Sequence, residues 1–132
     1  MKLGIGLYRH MITPENLQFS RQAGATHVIG HLTTYFQDTT QLPQADEKGG
    51  NYGVSSGEPP WTYEQLRDLK KTVNDAGLEL EAIENFDPAH WHDILLDGPR
   101  KAEHIENIKT IIRNMGKVGI PIMGYYFSLA GV

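Results

Sequence analysis

The feature that most constrains this chain is a regular alternation. A short apolar run is followed by a helix, three times over, the first two helices carrying their own start and stop signals, and a fourth apolar run follows. Leu3–Tyr8 and His27–His31 read as the first two strands, Leu78–Ile83 as the third and Ile120–Phe127 as the fourth. Thr13-Pro14-Glu15 opens the first helix with a hydroxyl cap, a proline at the first helical position and an acid in the first turn; Gly24 ends it. Thr62 and Gln65 form a capping box ahead of Leu66, Leu69, Val73 and Ala76 at helical spacing, and Gly77 stops that helix. The third helix spans about residues 100–117, with Ile105, Ile108, Ile112 and Met115 predicted as its core stripe. Arg113-Asn114, late in that helix, places a cation near its C-terminus.

The order is therefore β-α-β-α-β-α-β, an α/β pattern that implies a parallel sheet with right-handed crossovers. Four such strands make either a small open sheet or half of an eight-stranded TIM barrel, which needs ~250 residues. After Tyr125-Tyr126-Phe127-Ser128 the last strand runs into a loop with no covering helix. The expectation is a single incomplete domain over residues 1–132, the N-terminal half of a (β/α)8 barrel. Residues 32–60 lack periodicity and are punctuated by Gly49, Gly50, Gly53, Gly57, Pro43, Pro59 and Pro60. A loop of that length is usually functional or disordered, and Tyr35, Phe36 and Tyr52 favour an ordered lid.

Composition narrows the function. The formal net charge of -4 argues against a nucleic-acid surface, which needs a clustered basic face. With no cysteine there are no disulfides or thiolate ligands among these residues. Nothing approaches the ~20 apolar residues of a membrane span, and the apolar run after Lys2 is too short for a signal peptide. A soluble cytoplasmic protein is the default. Gly4 and Gly6 lack the third glycine of a dinucleotide fingerprint.

In a parallel β/α arrangement the strands' C-terminal ends share one rim, where binding and catalytic groups gather. That rim collects Tyr8, Arg9 and His10 after the first strand, His31 at the end of the second, Glu84 and Asn85 after the third, and Tyr125 and Tyr126 on the fourth. Arg9 can clamp a carboxylate through its two-pronged guanidinium. Glu84 suits a base, a ligand or a partner for Arg9. His27 and His31 share a strand face but lie ~13 Å apart, too far to grip one ion. His90-Trp91-His92 resembles a chelate, yet no further ligand stands nearby in sequence and no HExxH motif occurs, so substrate contact or loop ordering is the preferred role. The polar wealth of the segment from Leu80 to Asp93 exceeds what a connecting loop needs for packing.

Several of these motifs together resemble one family. Gly6-Leu7-Tyr8-Arg9-His10, the run from Glu84 to His92, Ile105-Glu106-Asn107 with Ile111-Ile112-Arg113-Asn114, and Gly119-Ile120-Pro121 with the run from Tyr125 to Gly131 resemble mannonate dehydratase along essentially the whole chain. The resemblance implies a xylose-isomerase-like TIM barrel that dehydrates D-mannonate to 2-dehydro-3-deoxy-D-gluconate in glucuronate catabolism, using Mn2+ or Fe2+. It implies substrate-binding roles for Tyr8, Arg9, His31, Glu84, Asn85, His90 and Tyr125. The family's chains are about twice this length or more, so its Cys, His and Asp metal ligands are expected in the missing C-terminal half. On that reading no metal ligand lies here, and the fragment is inactive alone. Tyr126 stands where the family's Tyr-Asn-Phe run has asparagine. Two other readings use the same residues: a related sugar isomerase or epimerase, and a half-barrel interaction module that pairs with itself, since open sheet edges invite pairing.

Overall fold

The computed structural model describes residues 1–33 and 59–126. The expected lid residues Tyr35, Phe36 and Tyr52, and the stretch from Phe127 to Val132, lie outside them. The strands are β1 (Gly4–Tyr8), β2 (His27–His31), β3 (Glu79–Glu84) and β4 (Ile122–Gly124), all parallel, in the spatial order β1-β2-β3-β4. The helices are α1 (Pro14–Gln22), α2 (Tyr63–Asp75), a single turn α3 (His92–Leu95) and α4 (Lys101–Val118). Sequential parallel neighbours in unbroken order are what a half-barrel requires.

The local signals act as the sequence implies. Thr13 Oγ1 accepts from the Asn16 N–H, and Gly24 takes φ 94°, a left-handed turn that only glycine adopts without strain. At α2, Thr62 Oγ1 accepts from the Gln65 N–H (3.2 Å) while Gln65 Oε1 accepts from the Thr62 N–H (2.9 Å). Thr62→Ala removes one side of that box, and urea unfolding should show a loss of about 1 kcal/mol.

Leu7, Val28, Leu80 and Ile83 of the sheet pack against Leu17 of α1, Leu66 and Val73 of α2, and Ile111 and Met115 of α4. The helices thus share one layer over one face. The stripe expected on α4 is corrected here. Ile112 is 52 % exposed, whereas Ile111 and His104 are fully covered and Met115 is 3 % exposed. Ile108 and Met115 stay on the covered side, while His104 and Ile111 take the places expected for Ile105 and Ile112, one position earlier at each. Only the docking of α4 on α2 and α3 selects between such stripes. The cation at the end of α4 is also a different one: Lys70 of α2 donates from Nζ to the carbonyls of Val118 (3.3 Å) and Gly119 (2.6 Å). Asn114 instead donates from Nδ2 to the Trp61 carbonyl (3.0 Å), tying α4 to the approach to α2.

Strand boundaries move: β1 starts at Gly4 and β3 at Glu79. β3 extends through Glu84, and β4 is confined to Ile122–Gly124. Pro121 has no N–H to give a ladder, so pairing starts after it, although Ile120 itself is buried.

Candidate functional site

The register places Tyr8 beside His31, His31 beside Glu84, and Glu84 beside Gly124, one row across all four strand ends. His31 Nε2 lies 3.0 Å from Glu84 Oε2. A carboxylate only accepts, so Nε2 carries the hydrogen and the tautomer is set. The Tyr8 ring packs on His31 with centroids 4.9 Å apart, and His10 stacks 6.0 Å from Tyr8. Beside this row is an open cleft of about 390 Å³, lined by Ile29, Ala82, Glu84, Asn85, Tyr125 and Tyr126 among others.

Asn85 has φ 63°, a left-handed conformation that costs a side-chain-bearing residue roughly 1 kcal/mol and is best tolerated by Asn. Its N–H donates to the Gly124 carbonyl at 3.0 Å, which holds the end of β3 to β4, and Asn85 lines the cleft.

The structure gathers Tyr8, His31, Glu84, Asn85 and Tyr125 around this rim. Arg9 stands at the start of a 3₁₀ turn, Arg9–Met11, directly after β1 and outside the cleft lining. His90 goes elsewhere. It is 3 % exposed and meets Trp61 edge to face at 6.4 Å, within the packed layer.

The polar wealth between Glu84 and Asp93 proves largely architectural, a correction to the sequence reading. Asp87 Oδ1 accepts from the Ala89 N–H (2.9 Å) and caps a 3₁₀ turn, Pro88–His90. Trp91 is 1 % exposed and donates from Nε1 to the Phe86 carbonyl (3.1 Å). Asp93 Oδ2 accepts from the Arg100 N–H (2.8 Å) at the entry to α4. Eight of the ten residues from Glu84 to Asp93 are buried, so the loop is a packed element.

The absence of a further ligand near His92 is likewise corrected, because α4 brings one. His92, Asp93 and His104 offer ligand atoms within 4.8 Å of one another. None of the three lines the cleft. At the other end of the sheet His27 faces Glu81 (3.6 Å), which also pairs with Lys2; that hydrogen bond holds the Glu81 carboxyl below its ordinary value. Among the described residues no helix is long and apolar enough to cross a membrane.

Four parallel strands under one helical layer, with a polar cleft at the strands' C-terminal ends, define half of a (β/α)8-barrel fold. Residues 1–131 match the family profile of D-mannonate dehydratase (UxuA), and the chain belongs to that family. It is 46 % identical over 76 residues to mannonate dehydratase of Streptococcus equi subsp. zooepidemicus, covering 58 % of this chain and 20 % of that protein. With the Thermotoga maritima enzyme it shares 37 % identity over 98 residues, 74 % of this chain and 26 % of that one. The crystal structure of mannonate dehydratase from Streptococcus suis serotype 2 superposes with a TM-score of 0.62 at 29 % identity, over 95 % of this chain and 30 % of that one. The chain thus spans roughly a quarter of the curated relatives it matches.

The family implies a metal cofactor. The cleft's described lining offers one carboxylate, Glu84, and no imidazole, and His31 beside it adds one. Two donors already turned toward each other do not make a divalent-ion site, so these residues do not fit that ion.

Proposed function

We propose that this chain forms the substrate-facing strand ends of a lyase that dehydrates D-mannonate to 2-dehydro-3-deoxy-D-gluconate. The reaction removes a proton next to the carboxylate and expels the neighbouring hydroxyl as water. The divalent ion that the family implies, Mn2+ or Fe2+, would on this proposal be held by residues other than the cleft's. The chain's own groups bind and orient the open-chain sugar acid. Glu84 holds His31 in one tautomer, and His31, Asn85 and Tyr125 present hydrogen-bonding groups to a polyol. Arg9, directly after β1, is assigned to the substrate carboxylate, where its planar fork can bind both oxygens. The observation that carries the reading is the row Tyr8–His31–Glu84–Gly124, which gathers polar groups from separate strands at one rim.

The test replaces the matching segment of the Streptococcus suis enzyme with this chain and assays hexonates beside aldoses and ketoses, with Mn2+. The expected result is mannonate turnover, with kcat/KM falling about 100-fold or more in Glu84→Gln, the scale of losing a carboxylate that fixes a histidine's tautomer. A chimera that leaves mannonate untouched but interconverts an aldose and a ketose would replace this reading with a sugar isomerase. The chain by itself, lacking a fitting ion site in its cleft, is expected to give no turnover.

A further inference from the structure

We propose that His92, Asp93 and His104 bind one divalent cation of the borderline class, best matched by Zn2+, where α3 meets the first turn of α4. The case starts from a mismatch of lone pairs. His92 Nδ1 lies 2.9 Å from the Pro88 carbonyl, which can only accept, so Nδ1 carries the hydrogen and Nε2 presents a lone pair. That lone pair faces Asp93 Oδ1 at 3.3 Å, another acceptor. Two acceptors that close require a positive species between them, either a proton or a metal ion.

The surroundings favour the metal. His104 is fully covered, its Nε2 has no hydrogen-bond partner, and its ring stands edge to face 4.6 Å from His92. The outer shell is also in place. A backbone carbonyl fixes His92, and the Arg100 N–H fixes Asp93 Oδ2, leaving Oδ1 for the ion. Gly98 clears the space, since a Cβ there would collide with the Asp93 carboxylate. Two imidazoles and one carboxylate suit Zn2+, Co2+ or Ni2+ better than Mg2+ or Ca2+, and a fourth position is left for water. His92, with 25 % of its side chain exposed, gives the path from solvent.

Binding has a cost. His104 Nδ1 now accepts from the Asp93 N–H at 3.1 Å; ligation through Nδ1 gives up that bond directly, and ligation through Nε2 gives it up by moving the proton to Nδ1. The three ligand atoms must also tighten from within 4.8 Å to about 3.4 Å around a tetrahedral ion.

The experiment strips the full chain with EDTA and titrates Zn2+ against a chromophoric chelator. Co2+ is titrated separately and followed by its visible absorption. The expected result is one ion per chain, a four- or five-coordinate Co2+ spectrum, and a higher Tm with Zn2+. His92→Gln and Asp93→Asn should each weaken binding at least about tenfold; the asparagine still accepts from the Arg100 N–H, and circular dichroism verifies that each variant is folded. His27→Gln, at the opposite end of the sheet, should bind as wild type. Absence of stoichiometric binding leaves a proton alone between His92 and Asp93 and overturns the proposal. So does binding that survives both substitutions, or that is lost equally in His27→Gln.

Discussion

Trp91→Ala is expected to destabilise the fold by about 3–5 kcal/mol, the range for removing a buried aromatic and leaving a cavity. Trp91 is 1 % exposed and is the largest of the fully covered side chains. It sits in the core with Ile83, Phe86 and Ile111, between the end of β3 and α4, and its indole N–H is tied to the Phe86 carbonyl. A domain of this size is typically held by only 5–15 kcal/mol, so the substitution removes a large share of the margin. Urea unfolding at equilibrium measures it. Trp91→Phe, which keeps most of the apolar volume but loses the N–H, should cost clearly less. Equal losses in the two variants would mean that the hydrogen bond, not the filling of space, makes this residue important.

Gly98→Ala is expected to cost about 2–4 kcal/mol, against the usual sign for a glycine outside the left-handed region. Replacing such a glycine ordinarily stabilises by about 0.4–1 kcal/mol, through the unfolded chain. Here the added Cβ would overlap Asp93 Cγ and Oδ1 and lie 2.8 Å from Oδ2. The carboxylate must swing away, giving up the Arg100 N–H and its contact with His92. A lost cap of about 1 kcal/mol and a poorly satisfied buried carboxylate of about 1–3 kcal/mol outweigh the entropic gain. A double-mutant cycle separates the causes. In an Asp93→Ala background the penalty at Gly98 should vanish; if it persists undiminished, the collision with Asp93 is not its origin.

Much of the architecture was legible in the chain because its signals are local. Thr13, Thr62, Gln65, Gly24 and Gly77 each satisfy backbone groups within a few residues of themselves, so residue type alone announces the boundary. The rim was legible for a related reason. Once the strands are parallel, Tyr8, His31 and Glu84 must come level wherever their strands end. His104 was not legible as a partner of His92, because eleven intervening residues and a change of direction between α3 and α4 carry no distance information. The choice of Ile111 over Ile112 was hidden too. Both lie on apolar stripes of one helix, and only the neighbouring elements pick the stripe that is covered.

The stretch from Glu84 to Asp93 divides the two kinds of knowledge most sharply. Its residue types alone mark it as a concentration of polar chemistry after a strand, and the family motif runs through it. Which groups face the cleft and which hold the fold was decided by tertiary structure. The left-handed turn at Asn85 leaves Glu84 and Asn85 at the cleft wall. From Phe86 onward the chain turns back beneath the helices, where Asp87 and Asp93 serve as caps and His90 and Trp91 as filling. Propensity and periodicity act over a few residues and settle elements and order. Burial is a property of the assembled layers, and it alone sorts a carboxylate or an imidazole into site or scaffold.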